Sequence, residues 1–359
     1  MTIPAVFKFT NWITGTPVPI DDAMASALTA PIGTSLAAAL AAAVPASLAP
    51  PGGRLTLTTG TPILSSTVLA ATTIFYTSYL GATAPFYNGT TWNVPTLSEL
   101  SLALDSDNTH TGYQQSGFNF DLYLDYNSGA PRLVTGPAWS TDILPSIART
   151  RVNGILLNAA IMTVRFGTGA TDTVSIAAQR ATYVGTFRAS ANGQTEFVFG
   201  AAGVGGSSAR IFLYNAYNRV LVPTFIQDST ASWTEVSNSG LGVHPLNGSL
   251  TNRVSFVDGL GDSVYLFGMD VGVQAPAALA GQNAYVSMGL DSISTAATPT
   301  WFAGHGIVSA LLACSLFYIG RPGIGFHFMQ ELQVVVGGGA VTFTFYGGLN
   351  NVFTGMAPC

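Results

Sequence analysis

Apolar and polar residues alternate along several short stretches of the chain. From Arg54 to Thr58 leucine alternates with threonine, and Phe118 to Tyr126 alternates in the same way. Residues Thr73 to Tyr79 are β-branched and aromatic, a composition that suits a pleated surface. A period of two residues is typical of half-buried strands. Further short apolar stretches follow at the spacing of β-sandwiches, so the pattern predicts an all-β fold of sandwich or jelly-roll modules in series.

A hairpin is predicted where Asn88-Gly89 separates Phe86-Tyr87 from Trp92. Asparagine and glycine both tolerate the positive φ that a tight two-residue turn requires. We therefore expect Tyr87 and Trp92 to face each other across the hairpin.

The N-terminal region differs from the rest of the chain. Leu36, Leu40 and Val44 lie four residues apart in an alanine-rich stretch, which predicts a helix with a narrow apolar stripe. Such a helix buries too little surface alone and needs a partner. Residues 1–53 are interpreted as an N-terminal arm and helical anchor that binds another protein.

The remaining chain is divided by its turn-rich segments into three predicted β modules. These are residues 54–145, 146–270 and 271–359. No helical repeat, heptad or solenoid period is visible in the sequence.

The composition indicates an assembly. Of the 359 residues, 48% are hydrophobic and only 8% are charged, against about 25% charged in an ordinary soluble domain. So small a number of charges has two explanations. Either water is bound at the surface by uncharged residues such as Thr, Ser, Asn and Gly, or much of the surface is buried against other subunits. Both are expected here.

The charge balance argues against two classes of partner. The net charge of −5 does not suit nucleic acid, which requires an excess of Lys and Arg. Residues 23–53 carry no charge, but their prolines and the missing basic flank make them a poor membrane span. The start of the chain has no recognisable secretion signal. We therefore expect neither nucleic-acid binding nor membrane insertion.

Arginine supplies eleven of the twelve basic residues, and seven arginines fall between Arg149 and Arg219. One interpretation is a basic face for an anionic surface glycan. The other is pairing of each arginine with nearby carboxylates and carbonyls.

No metal or cofactor is predicted. The histidines, His110, His244, His305 and His327, are scattered, and Cys314 and Cys359 lie in unrelated contexts. Asp105 and Asp107 resemble the start of a calcium loop, but its closing glutamate is missing. Asp258 and Asp262 similarly favour a plain turn.

Catalytic motifs are also missing, so the chain is predicted not to be an enzyme. Glycan hydrolysis would need two carboxylates on either side of a cleft. Asp121 and Asp125 share a strand face but lie ~13 Å apart along it. Glu196 and Glu331 are single acids that only folding could bring together, and the sequence around Ser207 lacks the last glycine of a nucleophile elbow.

Aromatic residues are the remaining candidates for surface binding, since exposed rings stack on sugars and anchor interfaces. The candidates are Tyr87, Trp92, Tyr214, Tyr217 and Trp233. Packing in the core or across strands is the competing interpretation for all of them.

Several motifs resemble a module of tailed-bacteriophage structural proteins. They are RLTLTTGTP from Arg54, TTIFYTSYLG from Thr72, FYNGTTW from Phe86 and LSELSLAL from Leu97, followed by RATYVGTFRA, RIFLYNAYNRV, NRVSFVDGL and GFHFMQELQ. The resemblance runs from Arg54 to the last residues of the chain. It implies a virion component and no reaction, and it does not point to particular receptor-contact residues.

These observations support a ranked set of functions. The first is a non-enzymatic virion protein, a trimeric fibre or spike on tail or head, whose residues 1–53 bind other virion proteins while outward loops meet a host glycan or protein. The alternatives are a capsid decoration or connector protein and a glycan-depolymerising tail spike.

Overall fold

A computed structural model describes residues 48–127, 129–237, 239–275, 281–297 and 310–359, together with the backbone of residues 9–10, 17–18 and 302–304. The described chain consists of strands, turns and one 3-10 turn, Leu246–Gly248. The predicted all-β class is therefore confirmed. The predicted helical anchor at residues 36–44 lies outside the described residues.

The strands are short in the first part of the chain and longer towards its end. The first ten are β1 (Phe9–Thr10), β2 (Pro17–Val18), β3 (Gly53–Thr56), β4 (Val68–Ala71), β5 (Thr73–Ser78), β6 (Phe86–Tyr87), β7 (Trp92–Asn93), β8 (Leu100–Ala103), β9 (Asn119–Asn127) and β10 (Ala130–Ala138). The next ten are β11 (Arg149–Val152), β12 (Ile155–Asn158), β13 (Met162–Arg165), β14 (Thr173–Ile176), β15 (Thr182–Arg188), β16 (Thr195–Val198), β17 (Ala202–Gly203), β18 (Ala209–Ile211), β19 (Leu213–Asn215) and β20 (Leu221–Asp228). The last nine are β21 (Ser232–Val236), β22 (His244–Pro245), β23 (Arg253–Asp258), β24 (Tyr265–Gln274), β25 (Asn283–Leu290), β26 (Phe302–Gly304), β27 (Leu311–Gly320), β28 (Gly325–Val336) and β29 (Thr342–Pro358).

Three larger sheets contain most of these strands. Sheet I has the order β11-β12-β15-β9-β10-β13-β14, and β19 also pairs with β15. Sheet II has the order β26-β25-β28-β23-β18-β16-β4, with β22 on β28. Sheet III has the order β17-β20-β29-β24-β27, with β21 on β29. Strand β29 thus lies in the middle of sheet III, between β20 and β24.

Sheets II and III pack face to face as a sandwich. Phe256 of β23 lies 5.7 Å from Phe267 of β24, measured between ring centroids. Polar contacts cross the same interface, since the Trp233 indole donates to Gln333 Oε1 over 2.8 Å. One apolar core runs between the sheets and continues into sheet I.

Two smaller units complete the described fold. Strands β3, β5 and β8 form a three-stranded sheet, and β6 and β7 form the predicted hairpin, with Tyr87 opposite Trp92. The turn differs from the predicted one. Asn88 and Thr91 close it, and Gly89 alone has a positive φ, of 93°. Asn88 instead uses its side chain, whose Oδ1 accepts from the N–H groups of Thr90 and Thr91.

The chain divides into two compact units, Met1–Leu48 and Ala49–Cys359. The described part of the first is the antiparallel pair β1 and β2. The second contains all three predicted β modules. Strand pairs cross the predicted boundaries between them, because β10 pairs with β13 across residue 145 and β20 pairs with β29 across residue 270.

Within the described ranges, no helix has the length and apolar character that crossing a bilayer requires.

Candidate assembly and attachment surfaces

The structure separates the five aromatic candidates. Tyr214 is fully buried, so its assignment as a surface-binding residue was wrong. It lies on β19, which is covered on both faces, and alternation in the sequence could not show that the second face is covered. Its hydroxyl accepts a hydrogen bond from Arg219.

Tyr217 and Trp233 are half-buried and occupied by structural contacts. The Tyr217 hydroxyl accepts from the backbone N–H of Leu156 over 2.9 Å. The Trp233 ring stacks on Phe345, with centroids 5.9 Å apart and planes inclined by 5°. These contacts fix both rings against the protein.

Tyr87 and Trp92 stand on the β6–β7 hairpin. Their ring centroids are 4.9 Å apart, and both side chains are half-buried. The connecting residues Asn88 to Thr91 are all exposed. Of the five candidates, this pair is the one that the structure places at an exposed turn.

A continuous exposed apolar surface was not among the predicted sites. It is the outer face of sheet III, called here the apolar face, formed by β20, β29, β24 and β27. In one row across the four strands Pro223, Met356, Leu266 and Ile319 are aligned. The next row aligns Phe225, Thr354, Gly268 and Phe317.

The side chains of the apolar face project into solvent. Phe317 is 72% exposed and Ile319 is 64% exposed, and Leu221 and Met356 are exposed as well. Exposed apolar groups on this scale are uncommon on monomeric proteins and mark interaction sites. Among the described residues of these four strands, Asp270 is the charged side chain that shares the face.

A groove crosses the apolar face. Phe225 and Phe317 stand on the two outer strands, and the smaller Gly268 and Thr354 lie between them. The resulting groove has a volume of about 590 Å³ and is lined by these residues together with Leu266 and Met356.

A protrusion accompanies the groove. The pairing of β29 with β24 shifts between Val271 and Gly272, so residues 347–350 bulge from the sheet. Leu349 in this bulge is 96% exposed and lies beside Leu311 of β27. The apolar face therefore carries both a hollow and a projecting leucine.

Strand β27 forms the edge of sheet III. All ten of its residues pair with β24, and no described strand pairs with its other side. A long edge strand with apolar side chains is a template for association unless another surface covers it.

The acidic residues considered for glycan hydrolysis have other roles. Arg149 binds both oxygens of Asp121, and the Trp139 indole and the Thr186 hydroxyl also donate to Oδ1. Arg149 also donates to the carbonyl of Gly259, which links sheet I to the loop after β23. The carboxylate of Asp121 is buried and fully occupied.

Glu331 lies between sheets II and III and is inaccessible to solvent. Its Oε1 accepts from Asn351, and Oε2 has no hydrogen-bond partner in the described part of the chain. Burial, reinforced by the negative charge of Asp228, raises the pKa of Glu331 to about 8. Glu331 is therefore protonated in the folded protein at neutral pH.

Asp228 is the charged neighbour of Glu331. Burial alone would raise the pKa of Asp228, but hydrogen bonds from Thr230, Asn247 and Asn252 outweigh it and hold this pKa below its ordinary value. Both carboxyl groups lie in the interior, so a polysaccharide cannot reach them.

The calcium-like loop is organised by internal contacts. Arg165 binds Asp105 Oδ2 over 3.0 Å, and His110 contacts the same oxygen over 2.9 Å. The N–H of Asp107 donates to Oδ1 of Asp105, as in an Asx turn. The described ranges contain no cluster of three or more His, Cys, Asp or Glu residues suited to a metal ion.

Most arginines of the basic stretch have a carboxylate partner. The pairs are Arg149 with Asp121, Arg165 with Asp105, Arg188 with Asp142, Arg210 with Glu196, and Arg219 with Asp262. These five support the pairing interpretation over a continuous basic face. Arg180 is exposed and differs from them, because no described residue pairs with its guanidinium.

Comparisons with known proteins give weak matches. No protein-family model and no curated protein matches the chain. It is similar to a chain in the structure of infectious bursal disease virus, Gx strain, with 8% identity and a TM-score of 0.29 over 87% of this chain and 68% of that one. For the Gt strain the identity is 9% and the TM-score 0.27, over 81% and 69% of the two chains. Similarity this low assigns neither a family nor a function.

Proposed function

We propose that this chain is a non-enzymatic structural protein of a bacteriophage virion. It acts as a trimeric fibre- or spike-type appendage on tail or head that attaches the particle to the host surface. Residues 1–53 bind it to other virion proteins, and exposed turns such as the β6–β7 hairpin face the host. The order of the phage-like motifs from Arg54 onward supports this assignment.

The observation that carries the proposal is the apolar face. It spans four strands and about ten residues along each, so its dimensions are roughly 15–20 by 30 Å, or roughly 450–600 Å² in projection. A stable interface buries about 800 Å² on each partner. The apolar face provides most of that area on each protomer, and its scarcity of charge fits burial against neighbouring copies of this chain around a threefold axis.

Charged substitution on the apolar face is expected to prevent self-association. Wild-type protein should elute as a species of three times the 37.2 kDa protomer mass in size-exclusion chromatography with light scattering. Phe317→Glu would place a charge in the desolvated interface, so we expect it to shift this species to the protomer mass. Because Phe317 is mostly exposed, its replacement leaves the protomer core intact.

Leu80→Glu is the matched control, since Leu80 is 73% exposed and follows β5, which is not a strand of sheet III. This variant should keep the wild-type mass. A wild-type protein that is monomeric at micromolar concentration would contradict the proposed assembly.

The attachment role requires a test on particles. Labelling this chain on intact virions should place it on projecting appendages. A position flat on the shell would identify a decoration or connector protein instead. Release of oligosaccharides from host polysaccharide by the purified protein would contradict the non-enzymatic assignment.

A further inference from the structure

The β6–β7 hairpin is held rigidly against the neighbouring loop. Phe86 points inward and packs on Tyr126, with ring centroids 5.0 Å apart. The Thr182 hydroxyl donates to the carbonyl of Pro85 over 2.5 Å. The strand that carries Tyr87 is thereby tied to the segment immediately after Arg180.

Arg180 is positioned by its own backbone. Its N–H donates to Asn158 Oδ1 over 3.0 Å, which fixes the loop before β15. The guanidinium lies against the hairpin turn. A methyl group added at Gly89 would stand 2.5 Å from Nη2 of Arg180, so the glycine permits the close approach.

The guanidinium retains its binding capacity. Within the described ranges, no carboxylate or carbonyl forms a hydrogen bond or ion pair with it, in contrast to the five paired arginines of the same stretch. An arginine fork presents parallel N–H donors that match the two oxygens of a carboxylate.

We propose that Tyr87, Trp92 and Arg180 form a binding site for a sugar that carries a carboxylate, such as a uronic or sialic acid unit. This inference rests on the proposed attachment function and names its ligand class. The aromatic pair provides an apolar surface for a sugar ring, and Arg180 provides the counter-ion beside it.

The turn between the rings adds polar groups without a large ordering cost. Asn88 Oδ1 accepts from the N–H of Thr90 over 3.0 Å and from that of Thr91 over 2.8 Å, so the turn is organised before a ligand arrives. The Tyr87 hydroxyl donates to the carbonyl of Gly89 over 2.9 Å, which orients its ring. A preorganised site loses less conformational entropy on binding.

A single guanidinium matches a sugar unit with one carboxylate better than a unit with several charged groups. The chain has a net charge of −5, so a densely sulfated or phosphorylated polymer is repelled overall. Carboxylated sugars carry one charge per unit, which one Arg180 fork can match.

Binding of the full-length protein to immobilised polygalacturonate, alginate, hyaluronate and polysialate tests the site. Methyl-esterified polygalacturonate and dextran serve as uncharged counterparts, and dextran sulfate tests charge alone. At least one carboxylated polymer should bind, and its uncharged counterpart should not. Arg180→Gln and Trp92→Ala should each weaken binding about tenfold or more, while Arg180→Lys should lose less than Arg180→Gln.

Arg321→Gln is the matched control, because Arg321 is exposed on the loop between β27 and β28. It should bind as wild type does. The proposed site would be overturned if none of the four carboxylated polymers bound, or if Arg180→Gln and Arg321→Gln lost binding equally. Equal binding of polygalacturonate and its methyl ester, or stronger binding of dextran sulfate than of the carboxylated polymers, would also overturn it. Light scattering on the same samples separates the two proposals: trimers that bind no sugar refute this site alone, and monomers that bind sugar refute the assembly alone.

Discussion

Replacing Asp121 with asparagine is expected to lower the free energy of unfolding by about 3 to 5 kcal/mol, the usual cost of leaving a buried charge without its partner. The side chain of Arg149 is almost completely buried and binds both Asp121 oxygens. Asparagine has nearly the same shape but no charge, so the guanidinium would remain desolvated and unpaired. Urea denaturation at fixed protomer concentration measures the loss as a lower midpoint with an unchanged slope.

Two further variants distinguish this mechanism from a general loss of packing. Asp142→Asn removes the more exposed carboxylate that pairs with Arg188, and should cost less than about 1 kcal/mol. The double variant Asp121→Asn with Arg149→Met removes both charges and should recover a large part of the loss. Additive effects of the two single substitutions would contradict the buried-pair explanation.

Replacing Glu331 with glutamine is expected to raise the free energy of unfolding, by an amount that increases with pH. The carboxyl has an ordinary pKa of 4.5 in the unfolded chain and a pKa of about 8 in the folded protein. The folded protein therefore keeps a proton that the unfolded chain releases between these values. The contribution of Glu331 to stability is complete below pH 4.5 and falls by about 1.4 kcal/mol per pH unit up to pH 8.

Glutamine does not titrate, so Glu331→Gln should equal wild type at pH 4 and exceed its stability by roughly 3 to 5 kcal/mol at pH 8. Urea midpoints at several pH values measure the difference. Glu196→Gln, which breaks the ion pair with Arg210, is the control and should change stability by less than about 1 kcal/mol. Parallel pH profiles for wild type and Glu331→Gln would show that the carboxyl is ionised in the folded protein.

The sequence predicts local features of this fold well. The alternation from Phe118 to Tyr126 corresponds to β9, and Tyr87 does lie opposite Trp92. Both features depend on local backbone preferences and on the two-residue period of a strand, and residues close together in the sequence determine these. The sequence predicted a positive φ at both Asn88 and Gly89. Only Gly89 has one, and Asn88 stabilises the turn by accepting a hydrogen bond with its side chain.

Burial is harder to predict from the same patterns. The run that contains β27 is apolar at almost every position, but its residues alternate between the core and solvent, with Cys314 inside and Phe317 outside. Tyr214 was a candidate for surface binding but is buried in the structure. A sequence shows which residues share a face of a strand, but not what covers that face.

The buried polar clusters could not be predicted, because their members are far apart in the sequence. Asp121 meets Arg149 across sheet I, and Glu331 meets Asp228 only after sheets II and III have packed. Arg180 and Gly89 are similarly distant, and their contact depends on the loop that Asn158 holds. Single acids and arginines in the sequence carried no signal of these partners.

The central position of β29 has a consequence for synthesis of the protein on the ribosome. β20 and β24 do not pair with each other, and each waits for residues 342–358, which are translated much later. Phe267 and Met269 are buried in the folded protein, so we expect them to remain exposed in nascent chains at this stage, as apolar surface of the kind that chaperones bind. The apolar face likewise forms only after β29 has emerged and joined its two neighbours.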